Sequence, residues 1–321
     1  MNIRFGVFVP QGWRMDLAEI DDPVEQYEAM TRVARAAEES GYDSIWVYDH
    51  FHTVPTPEIE TTFECWTITA GLARDTRRVN IGQMVTCNGY RHPALLAKMA
   101  STVDVMSHGR LYFGLGAGWY EHEWRAYGFG FPETPERLAM LREACQVITR
   151  MWSDERAVFH GKRYKVDGAI NEPKGVQQPH PKFFIGGEGE KVTLKLVAQY
   201  GDACNFGNGN LDTIRQKLAV LRGHCEQAGR SYDDLIRSTS INIHLLHPGQ
   251  DAERVTAPAR GNKSLEEYRQ GYWVGTPDEI AARLKPIVDA GINYVIVYLP
   301  RVAYDQEPVR YFAESVMGRW A

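Results

Sequence analysis

The chain has 321 residues, 44% of them apolar, and a formal net charge of −5 at neutral pH. That supplies a substantial core for one large domain spanning 1–321, and the mildly acidic balance without a dense Lys/Arg run excludes a nucleic-acid-binding role. No apolar run approaches the roughly 20 residues a membrane helix needs, and the five scattered cysteines, lacking any Cys-x-x-Cys, suit reduced thiols in the cytoplasm.

In chain order, the leading run Ile3–Val9 is predicted to be a buried strand, and it begins too early to leave room for a signal peptide. Asp22-Pro23 marks a helix start and Gly41 its end. Ser44–Tyr48 is the second strand, with Asp49-His50-Phe51-His52 at its end and a Pro/Thr-rich loop after it. Phe63–Arg74 reads as a helix, Val79–Val85 as the third strand, and Pro93–Ser107 as a helix with alanine and methionine on its buried face. The fourth strand opens at Leu111 and runs into Gly114, Gly116 and Gly118, followed by Trp119, Tyr120, Glu121, His122 and Glu123. Pro135–Trp152 is an amphipathic helix. Residues 154–181 look irregular, an insertion covering one end of the fold. Lys182–Ile185 is the fifth strand, ending in Gly186-Gly187-Glu188-Gly189; a helix follows from about Lys191. Ala203–Phe206 and Ser238–Leu246 are the sixth and seventh strands, separated by the helix Asp212–Gln227. Residues 248–271 form a polar second insertion. Thr276-Pro277-Asp278-Glu279 is a capping box, Tyr294–Leu299 the eighth strand, and Pro308–Arg319 the closing helix.

Eight strands alternating with helices imply parallel pairing through right-handed crossovers. The fold class is therefore α/β, a (β/α)8 TIM barrel with insertion segments; a doubly wound open sheet is the competitor. In a barrel the strand ends share one rim, so Gln11, Trp13, Asp49, His50, Thr86, Tyr90, Gly116–Glu123, Gly186–Lys191, Asn205, Asn242 and His244 become neighbours. Gly186, Gly187 and Gly189 before a helix suit an anion, or serve only the turn. His50 beside Asp49 is either a proton-moving group or a plain hydrogen-bonded rim histidine. A metal pair at His50 and His52 would need further ligands at later strand ends, which finish in Gly186, Phe206 and Pro300. No metal is expected. Cys87 has no base or cation beside it in sequence and reads as a lining cysteine.

Several blocks then point one way: Ser44-Ile45-Trp46-Val47-Tyr48-Asp49-His50; Val85 to Pro93; Gly109-Arg110-Leu111 through Glu123; Trp152 with Phe159 to Tyr164; and Pro181 to Gly189. In this order and spacing the sequence resembles the bacterial luciferase-like superfamily, and within it the F420-dependent oxidoreductases. The resemblance implies a flavin or deazaflavin at the carboxyl end of the strands, held by Asp49, Thr86, Gly116, Ala117, Gly118 and Trp119, with its phosphate on Gly186, Gly187 and Gly189. It implies a non-prolyl cis peptide near Gln83-Met84 that backs the ring, usually a homodimer, and a small-molecule substrate. It departs from the sugar dehydrogenases of the group at Trp119, where some carry an acid. The implied activity is hydride transfer between coenzyme F420 and an organic substrate. The alternatives are an FMN-dependent monooxygenase fed by a separate reductase, and a flavin-binding protein without catalysis. His50 is the first candidate for proton handling, with Glu121 and Glu123 next.

Overall fold

A computed structural model describes residues 3 to 320; Met1 and Asn2, ahead of the predicted first strand, lie outside the described residues. β1 (Arg4–Phe8) leads to α1 (Pro23–Glu39), where the Asp22 carboxylate caps Val24 N at 3.1 Å and Pro23 takes the first helical position. β2 (Ser44–Val47), α2 (Cys65–Asp75), β3 (Asn80–Gln83), β4 (Thr86–Cys87), α3 (Pro93–Met106) and β5 (Leu111–Gly116) follow. Next come α4 (Glu121–Ala126), α5 (Thr134–Ser153), β6 (Ala157–His160), β7 (Lys165–Ala169), β8 (Lys182–Gly186), α6 (Thr193–Tyr200), β9 (Ala203–Asn205), α7 (Leu211–Ala228) and β10 (Ile236–Leu245). The chain continues through α8 (Ala252–Arg260), α9 (Leu265–Gly271), β11 (Trp273–Gly275), α10 (Pro277–Asp289), β12 (Tyr294–Tyr298) and α11 (Glu307–Ser315).

Strands β1, β2, β3, β5, β8, β9, β10 and β12 pair in that order, all parallel, and β12 returns to β1. The ring is closed, a (β/α)8 barrel, and the pairing of Ala203 with Ile236 and of Arg4 with Tyr294 removes the open-sheet competitor. The core has two layers. Between strands and helices lies an aliphatic shell that includes Val7, Ile45, Ile81, Leu115, Ile185 and Val297. Inside the barrel, aromatics fill the lumen: Phe8 stacks on Tyr48 at 4.4 Å, and Trp46 meets Phe184 edge-on at 4.9 Å. Strands buried on both faces read as continuous apolar runs, which is why these eight were legible. No helix among the described residues is long and apolar enough to cross a membrane.

Four local findings differ from the sequence reading. The third strand stops at Gln83, bulges, and rejoins β5 as β4, with Thr86 opposite Leu115; the non-prolyl cis peptide falls at Met84–Val85, one bond later than expected. Residues 154–181 are not simply irregular. They hold the antiparallel hairpin of β6 and β7, which lies along α5, while Gln177 Nε2 reaches the Leu111 O at the start of β5 at 2.8 Å. Glu143 on α5 ties the tip down by accepting from Lys162 N, Arg163 N and Tyr164 N at 2.8–3.1 Å. The stretch after Trp119 turns into α4 at once, without a side-chain cap to announce it, since its N-cap is Tyr120. Residues 248–271 contain α8 and α9 and lead into β11, which pairs with β10.

Candidate active site at the barrel mouth

Two cavities open at the carboxyl ends of the strands and meet at Met84, which lines both. The first, about 380 Å³, has the Met84–Val85 bulge as its floor, Gly116 to Trp119 as one wall, and Gly186, Gly187, Gly189 and Thr193 at its far end. The glycines are there for space. A Cβ on Gly116 or Gly186 would stand 2.7–2.8 Å from the Val85 methyls, so the bulge fits only between bare backbones. At Gly187 the backbone has φ +121°, and the N–H groups from Gly187 to Val192 donate to no acceptor among the described residues. Consecutive free amides ahead of a helix form an anion cradle. Glu188 does not spoil it: its carboxylate turns away to accept from Gly207 N at 2.8 Å.

His50 lines the same cavity. Its ring stacks on Trp13 at 4.6 Å and 15°, with Trp119 and Tyr120 edge-on at 5.7 and 5.8 Å. Its Nδ1 lies 2.9 Å from Glu123 Oε2. Glu123 is fully buried. The same Oε2 accepts from Tyr90 Oη at 2.8 Å, while Oε1 accepts from Phe51 N at 2.6 Å and His52 N at 2.9 Å. Burial works against its charge, but the hydrogen bonds from His50, His52 and Tyr90 outweigh it and hold the carboxyl below its ordinary value. Tyr90, pushed up by burial and by Cys87 and Glu123, keeps its proton and donates it. An ionised Glu123 only accepts, so the proton on His50 belongs to Nδ1. In the neutral ring Nε2 is then the lone-pair atom, and it has no protein partner among the described residues.

Asp49 is equally committed. Arg91 grips it with Nη1 at 2.7 Å and Nη2 at 3.0 Å, and Cys87 N donates to Oδ2 at 2.8 Å, so its carboxylate fastens β4 below the bulge. Burial pushes the Asp49 carboxyl up, with Arg91 opposing. Burial likewise raises the Cys87 thiol, which lines the cavity as a neutral group. Thr86 lines the cavity too, with its hydroxyl turned to accept from Trp66 Nε1 at 3.1 Å.

The model of the luciferase-like monooxygenase family matches residues 3–271. The chain belongs to the luciferase-like monooxygenase family. It is 30% identical to the F420-dependent glucose-6-phosphate dehydrogenase of Amycolatopsis mediterranei (strain U-32), across 90% of this chain and 93% of that one. It is 25% identical to the FMNH(2)-dependent dimethylsulfone monooxygenase of Pseudomonas putida, across 89% and 86%. The coenzyme F420 dependent tetrahydromethanopterin reductase of Methanopyrus kandleri superposes with a TM-score of 0.78 over all of both chains at 17% identity, a likeness of fold.

Within this luciferase-like barrel the predicted site residues separate into three sets. His50, Asp49, Met84, Thr86, Gly116, Ala117, Gly118, Trp119, Gly186, Gly187 and Gly189 all line the first cavity. Glu123 stands behind His50 rather than in the cavity, and its four accepted hydrogen bonds leave it no role as proton donor. Glu121 and Gln83 lie outside the cavity lining. Glu121 points to solvent in an i,i+4 pair with Arg125, because α4 turns it away from the mouth. The Gln83 side chain bonds Thr69 Oγ1 at 3.2 Å on α2, because strand alternation directs it outward. Among the contributors missed are Val85, which occupies the bulge; Thr193, displaced because the helix starts two residues later than expected; Thr134 and Leu138 on α5; and Arg14, beside Trp13 in the loop after β1. A single arginine between a tryptophan and a methionine was the available signal for the last.

Proposed function

We propose that this chain is an oxidoreductase that passes a hydride between coenzyme F420 and an organic substrate, with His50 as the proton-handling residue. The observation that carries the assignment is the contact of Glu123 with Nδ1 at 2.9 Å, which in the neutral ring assigns the proton to Nδ1 and leaves Nε2 as the acceptor at the cavity. When bound, the coenzyme supplies the hydride-accepting and hydride-donating carbon. The cavity fits such a group. It has an apolar floor at Met84 and Val85, glycine walls that allow close approach, and free amides with the Thr193 hydroxyl for a phosphate. In the oxidising direction Nε2 takes the proton released by a substrate hydroxyl; in the reducing direction it returns it. Glu123 is a positioning residue that stabilises the imidazolium formed in between. Asp49 holds the end of the bulge, and Trp119 and Tyr120 screen His50 from water.

This reading includes a single barrel domain with its two insertions, a homodimer in the cytoplasm, and a separate F420 reductase as redox partner. Anaerobic titration with F420 and with FMN, followed by absorbance, tests the coenzyme. Saturable binding of F420, tighter than FMN, is expected. Tight FMN with no F420 binding, together with oxygen uptake by the reduced complex, would give the monooxygenase reading instead.

A further inference from the structure

The second cavity, about 500 Å³, is lined by Phe8, Tyr48, Trp273, the amides of Asn205 and Asn242, and Arg14. Among the described residues no acid lines it, and Arg14 is the one formally charged residue of the lining. The guanidinium lies over the Tyr298 ring at 4.2 Å and beside those of Trp13 at 4.9 Å and Tyr48 at 5.4 Å, which fixes its plane. Nη1 donates to Asn242 Oδ1 at 3.0 Å. No carboxylate lies within ion-pairing distance of Arg14 among the described residues. The nearby acid, Asp16, is turned elsewhere, with Oδ1 accepting from Gly12 N at 2.7 Å and Oδ2 facing Tyr298 Oη at 3.5 Å. Two of the polar neighbours are spent on others: Ser240 Oγ donates to Asn205 Oδ1 at 3.2 Å, and Asn242 Nδ2 to Gly271 O at 3.0 Å; Asn208 and Gln270 line the cavity beside them.

A half-buried arginine set over aromatic rings, with Asp16 near enough to act on its charge but no carboxylate in direct contact, keeps guanidinium donors for a partner that the protein does not supply. We propose that this cavity binds a carboxylate of the substrate and that Arg14 receives it. The proposal rests on the hydride-transfer reading for the chemistry at the substrate's other end. Two features favour a carboxylate over a phosphate. The guanidinium fork matches two coplanar oxygens, and one positive charge balances a monoanion but not a dianion. The placement also serves turnover. Trp13 touches both Arg14 and His50, and Met84 joins the two cavities, so a small acid anchored on Arg14 extends toward the proton acceptor.

The test uses benzoate, phenyl phosphate and the neutral isostere benzamide as probes, with binding followed by tryptophan fluorescence, since Trp13 and Trp273 border the site. The wild-type protein, with and without F420, is titrated alongside Arg14→Gln and Arg14→Lys. Benzoate is expected to bind at least tenfold more tightly than benzamide and more tightly than phenyl phosphate. Arg14→Gln should erase the preference and Arg14→Lys should retain part of it. Equal affinity for benzoate and benzamide in the wild type overturns the proposal without reference to any variant, and so does a preference that survives Arg14→Gln. Tighter binding of phenyl phosphate than of benzoate overturns the carboxylate assignment. A carboxylate preference in a protein that binds no F420 supports this site and overturns the coenzyme reading, so the two failures are distinct.

Discussion

On the early-strand side of the mouth, Asp49, Tyr90, Arg91 and Glu123 are each paired within the protein, and every acceptor on Glu123 is in use. Where the late strands end, the amides from Gly187 to Val192 donate to no acceptor among the described residues, and Arg14, which the loop after β1 carries across to Asn242 on β10, has no carboxylate within ion-pairing distance among them. One half of the rim is finished; the other is left open. A saturated network holds a ring and its tautomer in place before substrate arrives, which is what proton transfer requires. Unspent donors and an unpaired cation have affinity to offer a ligand. The contrast assigns chemistry to the early strands, and binding to the late ones together with the Arg14 that reaches across to them.

The sharpest way to break this comparison is to cut the early network at two points. His50→Ala should lower kcat by about three orders of magnitude while leaving the F420 dissociation constant within about threefold. Glu123→Gln keeps the volume but offers an amide N–H where His50 Nδ1 now finds an oxygen. The ring then moves its proton to Nε2, and kcat should fall by about a hundredfold, recovering in neither direction of pH. A variant kcat close to wild type in steady-state assays would show that His50 is only a rim group.

A smaller effect is expected on the late side. Gly187→Ala places a Cβ at φ +121° and 3.2 Å from Thr193 Cγ2. The cradle should distort and the F420 dissociation constant rise by about tenfold, with kcat at saturation nearly unchanged. Fluorescence titration separates this from an effect on chemistry, which would return the phosphate site to the early strands.

The smallest expected effect concerns pH. Burial lowers the His244 imidazole on β10 from 6.5 to about 4, with its Nδ1 3.1 Å from Tyr268 Oη. Between those values the unfolded chain binds a proton that the folded chain does not, so stability falls as pH drops from 6.5 toward 4. His244→Gln should flatten that part of the curve of unfolding midpoint against pH. An unchanged slope would mean that other groups set the acid stability of the late half.

Much of this was legible in the chain. The eight strands buried on both faces, the Asp22-Pro23 and Thr276-Pro277 helix starts, and the Gly186–Gly189 turn all depend on local patterning that short stretches carry alone. His50 and the glycine walls were found because a barrel gathers strand ends at one rim. The sequence by itself determined the alternation, hence the barrel and its mouth. It could not tell Glu121 from Glu123, two residues apart at the start of α4. The tertiary structure decided that, because only the packing of α4 against Tyr90 and the 50–52 loop turns one carboxylate into the protein and the other to water. Arg14 follows the same rule: nothing local sets its charge apart, and it becomes a site only where β10 and β12 close the ring and leave it facing a cavity without an acid.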